Sequence, residues 1–414
     1  MPQHPRTSPS RRTYLRRRIV VFGGLVLLLT GGTYLPMTLL APLEPAAAHS
    51  VSFVAPENPP VELAWPGYGA SAIGAVGFPG VLATGGEKTP RSIASITKVI
   101  TGLVVLDAKP LSAGEPGPAI TMTAKDAALY HKYFAQNGKV EPVRAGLVLS
   151  QRQLMEAVLV SSANNYAESL AVWAYGSMPK FLDATRTWLT AHGLTNTTLL
   201  DSSGMNPGNT STASDLVELG KIALANPTIA AIVSTKSVTL PYLGIIRNTN
   251  ELLGSGGVDG IKTGTLPEAG ACLLFAASVT VAGHEVKVVG VVLGGTDHPS
   301  LNGAVRSLLK SAASGFHELQ LVKAGTVFST YSTPWDQSAK AVATRNESML
   351  VWAGTPITRS VAIDEIRTAR AGDEVGSVTF TVADKKVTVP IALDAPLADP
   401  GPWWRLANPF GLTR

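Results

Sequence analysis

Apolar residues recur with a helical period through the first half of the chain. The spacing predicts a mostly helical region from Ile93 to about Ala225. Its clearest helical stretches are SITKVITGLVVLDA (95–108), SQRQLMEAVLVSSANNYAESLAVWAYG (150–176), MPKFLDATRTWLTAHGL (178–194) and STASDLVELGKIALAN (211–226). The last stretch opens with hydroxyl and carboxylate residues, which suit a helix N-terminus.

Strand patterns flank this helical region on both sides. Residues 68–86 predict two short strands around a Gly-Phe-Pro-Gly turn. Residues 271–283 and 284–295 predict two strands joined by a hairpin at Ala282-Gly283-His284. A closing helix is expected over 302–317, and strand patterns dominate after it. The chain is therefore expected to mix helices and strands and to end in a β-rich region.

The N-terminal stretch differs from all others in its pattern. Residues 19–43 are 25 positions without a charge, enough to cross a hydrocarbon layer of about 30 Å. Arginines in the preceding segment favour an orientation with residues 50–414 outside a membrane. The small residues of PAAAHS (45–50) offer the alternative of a cleaved signal and a secreted protein, although the run exceeds the usual ~7–15-residue signal core. We expect a single-pass anchor in the cell membrane.

Charge and cysteine content limit the function classes further. The 414 residues include 34 Lys+Arg and 29 Asp+Glu, a formal net charge of +5. Six arginines precede residue 19, and removing them leaves 28 bases against 29 acids, a net charge of −1. A nucleic-acid partner is therefore not expected. The single cysteine, Cys272, excludes an internal disulfide, so the exported part must be stabilised by its core.

These patterns divide the chain into segments. The predicted order is a basic cytoplasmic segment (1–18), a transmembrane anchor or signal (19–43), a Pro-rich linker (44–66), a main domain (67–317), a β-rich C-terminal domain (318–400) and a tail (401–414). The tail has too many prolines to predict a helix. Its Trp403, Trp404 and Phe410 are expected to pack on the β-rich domain rather than at a membrane interface.

Candidate chemistry begins with Ser95, which is followed one helical turn later by Lys98. The two side chains lie on the same face of a helix, and the apolar sequence after Lys98 predicts burial. A serine hydroxyl needs a base to become a nucleophile, and a lysine can serve only when it is neutral. Ser-x-x-Lys also occurs at Ser177 and Ser307, so this motif alone is weak.

Two more motifs follow in order, and the combination is much more specific. Ser162-Ala163-Asn164 lies in the second long helical stretch, and Lys262-Thr263-Gly264 occurs once, before the predicted hairpin. The ordered triple Ser-x-x-Lys, Ser-x-Asn and Lys-Thr-Gly is the motif set of penicillin-binding proteins and class A β-lactamases.

The chain resembles the serine-type D-alanyl-D-alanine carboxypeptidases of the low-molecular-mass penicillin-binding proteins over roughly residues 65–400. The stretches that carry the resemblance are ASITKVIT (94–101), LMEAVLVSSANNYAESLA (154–171), LLDSSGMNPGNTSTASDL (199–216), NTNELL (248–253) and GVDGIKTGT with AGACLLFAA (257–277). It implies an α/β fold of the α+β type, in which an antiparallel sheet has helices on both faces and an inserted helical subdomain. It also implies release of the last D-alanine from peptidoglycan stem peptides and covalent inhibition by β-lactams.

The motifs and the resemblance together give each residue an expected role. Ser95 is the nucleophile and Lys98 its base, while Ser162 relays a proton to the leaving nitrogen and Asn164 binds Lys98 and the substrate amide. Lys262 adds positive charge. The residues expected to bind substrate are Thr263, Gly264, Thr265 and Arg247. The backbone N–H groups of Ser95 and Thr265 are expected to form the oxyanion hole.

Three positions depart from the family pattern. Ser92 and Asn165 stand where relatives often have proline and aspartate. Thr249 stands where some relatives have an arginine for the substrate carboxylate, and Arg247 is the nearest replacement, although two residues along a strand are ~7 Å apart.

Two other functions remain as alternatives, and no metal or other cofactor is expected. A β-lactamase on the same scaffold would need a second base for deacylation, and Glu168, Glu218 and Glu251 lack its Glu-x-x-Leu-Asn setting. A non-catalytic penicillin or peptidoglycan sensor would not need the complete motif set. The histidines lack metal-ligand spacing.

Overall fold

The computed structural model describes residues 10–412. Half of the predicted basic segment (1–9) and the end of the tail (413–414) lie outside the described residues. The rest forms a larger unit, residues 59–318 with 350–355, and a smaller unit that combines residues 10–58, 319–349 and 356–412. As independent domains, 67–317 and 318–400 stay predictions.

The described helices follow the predicted apolar periods, except that the predicted stretch 150–176 is interrupted between Leu159 and Asn164 and forms two helices. They are α1 (Arg11–Leu39), α2 (Thr97–Ala108), α3 (Ala124–Phe134), α4 (Gln151–Leu159), α5 (Asn164–Tyr175), α6 (Met178–Ala191), α7 (Ala213–Ala225), α8 (Pro227–Val233), α9 (His298–Ala313) and α10 (Pro402–Ala407). Side-chain caps fix several starts: the Thr212 hydroxyl accepts the Asp215 N–H at α7, and the Asp297 carboxylate accepts the Ser300 N–H at α9. The closing helix thus begins at His298, four residues before the predicted start.

The described strands include many short pairs. They are β1 (Ala47–Ser50), β2 (Ala70–Ala75), β3 (Ala83–Gly86), β4 (Arg91–Ser92), β5 (Ala119–Thr121), β6 (Val148–Ser150), β7 (Thr210–Ser211), β8 (Ser237–Leu240), β9 (Gly244–Arg247), β10 (Val258–Leu266), β11 (Gly270–Val281), β12 (His284–Gly295), β13 (Phe316–Val322), β14 (Val327–Ser332), β15 (Ser338–Ala343), β16 (Glu347–Trp352), β17 (Ile357–Ile363), β18 (Glu374–Val382) and β19 (Lys385–Leu393). The predicted hairpin between β11 and β12 is confirmed, with Ala282 and Gly283 at positive φ.

The larger unit is built on an antiparallel sheet in the order β10-β11-β12-β2-β3. Successive side chains of a strand point to opposite faces of the sheet, so neighbouring residues belong to two separate apolar clusters. Leu274 and Val289 pack with α2, α4, α5 and α7 on one face, and Phe275 and Val288 pack with α9 on the other. Cys272 is buried in β11, and burial raises the pKa of its thiol to about 11. The predicted α+β fold with helices on both faces of the sheet is confirmed.

The smaller unit contains an antiparallel six-stranded sheet in the order β1-β14-β15-β19-β18-β17. Its strand β18 alternates buried Val378 and Phe380 with half-buried Thr379 and Thr381. The strand β1 corrects the prediction of a linker over 44–66, because residues 47–50 pair with Ser329–Ser332. Backbone hydrogen bonds hold this edge strand, and its small side chains gave no strand pattern.

The tail also differs from its prediction. Pro402 is the first residue of α10. The N–H of a first helical residue has no partner within the helix, so the missing N–H of proline costs no hydrogen bond and a short helix forms. Trp404 packs edge to face on Trp335 with ring centroids 5.5 Å apart, as expected. Trp403 and Phe410 are 83% and 86% exposed, so the packing prediction is wrong for these two.

Candidate active site

Ser95 lies in a 3-10 turn (Ala94–Ile96) that leads directly into α2. Ala94 has φ +45°, a left-handed conformation that is uncommon for alanine and turns Ser95 toward the cleft. The turn is tightly packed, because a Cβ at Gly204 would lie 2.0 Å from the Ala94 carbonyl oxygen. Glycine at this position lets the neighbouring chain support the serine.

Lys98 lies in the first turn of α2 with its ammonium group fully buried. Its Nζ is 2.8 Å from Ser95 Oγ, 2.6 Å from Asn164 Oδ1 and 2.5 Å from the Ser203 carbonyl oxygen. Two of these partners are oxygens that only accept, and the third is a hydroxyl that can donate. A neutral amine fits this set: it donates two hydrogens to Asn164 and Ser203 and accepts the hydroxyl proton of Ser95.

The electrostatics of the pocket favour that neutral form. Burial lowers the pKa of Lys98 well below its usual value, and the positive charge of Lys262 lowers it further. The carboxylate of Asp201 acts in the opposite direction but does not reverse the shift. The arrangement therefore provides a base next to a hydroxyl nucleophile.

The Ser-x-Asn motif lies at the turn between α4 and α5. Ser162 has φ +68°, which places this side chain at the cleft by a backbone conformation that serine seldom adopts. Asn164 is the first residue of α5, is 2% exposed, and points its Oδ1 at Lys98. The structure thus brings the second motif against the first.

The Lys-Thr-Gly motif lies in the edge strand β10. Gly264 comes so close to the serine turn that a Cβ there would lie 2.9 Å from the Ile93 carbonyl oxygen and 3.2 Å from the Ser95 backbone nitrogen. Burial lowers the pKa of Lys262 to about 7. The Lys262 Nζ donates weakly to the Thr263 carbonyl oxygen at 3.2 Å and to Thr249 Oγ1 at 3.4 Å.

These elements surround an open cleft of about 930 Å³. Its lining includes six of the predicted site residues: Ser95, Ser162, Asn164, Thr263, Gly264 and Thr265. Lys98 and Lys262 are buried behind this lining. Arg247, predicted to bind substrate, is exposed on β9 and does not line the cleft, whereas Thr249 does and shares a hydrogen bond with Thr263. The segment that follows β9 therefore presents Thr249 to the site, while Arg247 at the end of the strand stays outside it.

Sequence reasoning missed several residues of the site. Asp201 accepts backbone hydrogen bonds from Ser203, Gly204 and Asn206, and so shapes the turn whose carbonyl contacts Lys98. His298 also lines the cleft, where its Nε2 is 2.7 Å from Thr265 Oγ1. The stretch around Asp201 (199–216) was part of the family resemblance and was the available signal for its role, while the sequence around His298 gave no such signal.

The described residues contain no group of three or more His, Cys, Asp or Glu side chains arranged to hold a metal ion. The groups that lie together around Ser95 are its own hydroxyl, the amine of Lys98 and the amide of Asn164. The arrangement fits acyl transfer by a serine nucleophile.

Comparisons with known proteins agree with this geometry. A family model described as D-alanyl-D-alanine carboxypeptidase matches residues 79–297, more than half of the chain. The chain is 33% identical over 196 residues to a D-alanyl-D-alanine endopeptidase of Pseudomonas aeruginosa, a match that covers 45% of this chain and 59% of that protein. It is 34% identical over 241 residues to a D-alanyl-D-alanine carboxypeptidase of Streptomyces sp. (strain K15), covering 53% and 78%.

A solved structure extends the similarity in fold to most of the chain. Penicillin binding protein 6B from Escherichia coli superimposes with a TM-score of 0.59 at 23% identity, over 83% of this chain and 99% of that one.

Proposed function

The chain belongs to the D-alanyl-D-alanine carboxypeptidase family, and on this premise we propose that it removes the terminal D-alanine of peptidoglycan stem peptides through a Ser95 acyl-enzyme. The observation that carries the proposal is the 2.8 Å contact between Lys98 Nζ and Ser95 Oγ. The other two partners of this nitrogen, Asn164 Oδ1 and the Ser203 carbonyl oxygen, can only accept hydrogen bonds. This geometry directs the only free lone pair of a neutral lysine at the nucleophile.

Acylation begins when Ser95 Oγ attacks the carbonyl carbon of the penultimate D-alanine. The hydroxyl proton moves to Lys98, and the carbonyl oxygen becomes an oxyanion. The backbone N–H groups of Ser95 and Thr265 are the expected donors to this oxyanion, and the close approach of Gly264 to Ser95 supports that pairing.

Collapse of the tetrahedral intermediate breaks the peptide bond and expels D-alanine. The leaving nitrogen needs a proton, which Lys98 now holds. Ser162 is the expected relay, because its hydroxyl lines the same cleft and can accept one proton while donating another. Lys98 thereby returns to its neutral form and can activate the water that hydrolyses the acyl-enzyme.

Substrate recognition follows from the same lining. Thr263, Gly264 and Thr265 offer hydroxyls and backbone groups along the strand β10, against which an extended peptide can lie. A β-lactam presents a similar carbonyl and carboxylate, so we expect it to acylate Ser95 and inhibit the enzyme. Its leaving group stays tethered after ring opening and obstructs the attacking water.

The β-lactamase alternative needs a further base for rapid hydrolysis. Glu168 and Glu218, two of the three candidates, are held in ion pairs with Lys132 and Lys221. Glu251 lines the cleft but is exposed. None of them is buried beside Ser95, so this geometry favours the carboxypeptidase. A sensor that penicillin acylates would use the same pair of Ser95 and Lys98, so turnover of a peptide is what distinguishes it from the carboxypeptidase.

The decisive experiment compares the fate of a peptide with that of penicillin. We expect release of D-alanine from a stem-peptide mimic, and a penicillin adduct on Ser95 that persists for minutes by mass spectrometry. The Ser95→Ala variant should show neither. An adduct that vanishes within seconds, with no D-alanine released, would replace the carboxypeptidase by a β-lactamase, and a stable adduct with no turnover of any peptide would indicate a sensor.

We also propose that the N-terminal segment stays attached as a single-pass membrane anchor, with the catalytic unit outside the cytoplasm. The helix α1 has 29 residues, contains most of the uncharged run that begins at Ile19, and is long enough to span a membrane. Cleavage near His49 would remove half of β1 together with Leu43 and Ala46, which are 3% and 5% exposed. That loss from a folded sheet favours retention over cleavage.

N-terminal sequencing of the mature protein tests the anchor. We expect the intact N-terminus and membrane association that resists high salt. A mature N-terminus near His49 would show that residues 1–48 are a cleaved signal.

A further inference from the structure

The segment after α3 forms one wall of the cleft. We call residues 135–142 the cleft-wall loop. Gln136, Asn137, Gly138 and Lys139 at its tip line the cleft together with Ser95. These lining residues place the segment on the side of the cleft that a substrate would occupy.

The helix α5 holds the far end of this loop through three consecutive residues. The Asn164 N–H donates to the Lys139 carbonyl oxygen at 2.8 Å. The Asn165 side chain makes two bonds with Glu141: its Nδ2 donates to the Glu141 carbonyl oxygen at 2.9 Å, and its Oδ1 accepts the Glu141 N–H at 3.2 Å. The Tyr166 hydroxyl donates to the Pro142 carbonyl oxygen at 2.8 Å.

The near end of the loop is held by the same helix. Tyr133 is 3% exposed, and its hydroxyl donates to Glu168 at 2.6 Å. Glu168 also pairs with Lys132. The Tyr133 carbonyl oxygen accepts the Gly138 N–H at 2.8 Å. With both ends fixed to α5, the tip projects into the cleft in one position.

Asn165 is the residue of this set whose chemistry is the most specific. It is 1% exposed and does not line the cleft, so it acts on a substrate only through the loop. Its two bonds need one donor and one acceptor, which an amide has and an ionised carboxylate lacks. The two bonds between Asn165 and Glu141 therefore depend on the amide of Asn165.

We propose that Asn165 is a positioning residue that fixes the cleft-wall loop for binding of the peptide part of the substrate. The proposal rests on the proposed carboxypeptidase function. A stem peptide extends beyond the two reacting D-alanines, so its remaining residues can contact the cleft-wall loop when the loop is held in position. The hydrogen-bond partners of Lys98 are Ser95, Asn164 and Ser203 rather than Asn165, so acylation should depend much less on the loop than peptide binding does.

The isosteric variant Asn165→Asp tests this directly. It keeps the acceptor for the Glu141 N–H but replaces the donor by an oxygen facing the Glu141 carbonyl. We expect KM for a stem pentapeptide to rise about tenfold, since a buried acceptor loses its partner. Acylation by 6-aminopenicillanic acid, which has no acyl side chain to reach the wall, should change by less than about threefold.

Limited proteolysis gives a second measurement that needs no substrate. Tryptic cleavage after Lys139 should be about tenfold faster in Asn165→Asp, because the loop opens locally more often. Asn346→Asp is the matched control, since the exposed Asn346 uses only its Oδ1 to accept the Ala324 N–H and should behave as wild type.

A milder variant covers the case in which Asn165→Asp fails to fold. Tyr166→Phe removes only the hydroxyl that donates to Pro142 and should raise the peptide KM about threefold. Wild-type KM and wild-type cleavage after Lys139 in the folded variants would overturn the proposal. Equal losses with the peptide and with 6-aminopenicillanic acid would also overturn it, because they would place the effect on the chemistry. Faster cleavage after Lys139 without any D-alanine release by the wild type would refute the proposed function and leave the role in holding the loop.

Discussion

The α2 side and the β10 side of the cleft each bury a lysine, and they do so in different ways. On the α2 side, Lys98 is 0% exposed and has three partners within 2.8 Å. On the β10 side, Lys262 is 1% exposed, but its two partners lie at 3.2 and 3.4 Å. Burial lowers the pKa of both lysines, yet only Lys98 has partners arranged for a particular proton transfer.

The difference indicates two uses of the same residue type. A lysine with close, directional partners acts on an individual proton, so both its identity and its position matter. A lysine with long contacts acts mainly through its charge, which in this cleft lowers the pKa of Lys98. Burying either lysine is costly. The shift of Lys98 supports a neutral base at Ser95, whereas the shift of Lys262 leaves Lys262 charged only below a pKa of about 7.

The largest effect is expected for the α2 side. Lys98→Ala should lower penicillin acylation by about 10⁴-fold, because the Ser95 hydroxyl loses its hydrogen-bonded base. Labelling with a fluorescent penicillin followed over hours measures the rate. Lys180→Ala is the matched control, since Lys180 belongs to another Ser-x-x-Lys sequence and is exposed. Labelling of Lys98→Ala at the wild-type rate would remove the distinction between the two lysines.

The second effect concerns the spacing between the two sides. Gly264→Ala should reduce acylation by about 10²–10³-fold, since its Cβ would press on the Ile93 carbonyl and the Ser95 nitrogen and displace an oxyanion donor. Gly303→Ala is a suitable control because nothing lies within 4 Å of its added Cβ in α9. Stopped-flow acylation gives the rates. An unchanged rate for Gly264→Ala would mean that β10 contributes no donor next to Ser95.

The sequence was most informative where the chemistry lies close together along the chain. Ser95 and Lys98 are separated by one helical turn, so their contact followed from the spacing. The family motif placed Asn164 near both residues. The Ser203 carbonyl could not be predicted, because a backbone group has no signature in the sequence. The choice between Arg247 and Thr249 depended on where β9 ends, which spacing does not determine.

The smaller unit shows the same limit for the fold. The strand β18 was predicted because its apolar residues alternate. The strand β1 was not, because AAHS has no alternation and is held by backbone bonds to β14. The helix α10 was missed because a proline at its first position reads as a helix breaker although the position tolerates it.

The third effect tests whether the β10 side acts through charge. Lys262 carries its charge below a pKa of about 7, and that charge lowers the pKa of Lys98. In Lys262→Met the pKa of Lys98 should rise, so a smaller fraction of Lys98 is neutral at a given pH. The acid limb of the pH–rate profile for acylation, where the rate falls as Lys98 is protonated, should therefore move to higher pH. A rise of one unit in the pKa of Lys98 makes acylation about tenfold slower on the acid limb, and the difference from the wild type should narrow above pH 7, where Lys262 is itself neutral. Lys262→Arg should keep the wild-type limb. An acid limb that does not move in Lys262→Met would limit Lys262 to contacts with substrate.

The smallest effect is expected for the hydroxyl that borders Lys262. Thr249→Val keeps the shape of the side chain but removes the bond to Thr263 and the 3.4 Å contact from Lys262 Nζ. Because that contact is long and Thr263 keeps its own hydroxyl for the substrate carboxylate, we expect KM for the pentapeptide to rise about threefold with kcat unchanged. Steady-state D-alanine release measures both constants. Thr190→Val is the control, since the exposed Thr190 uses its hydroxyl only for a bond to the Arg186 carbonyl within its own helix. A fall in kcat of more than about tenfold would show that the contacts of Lys262 are as directional as those of Lys98, and the contrast between the two sides of the cleft would no longer hold.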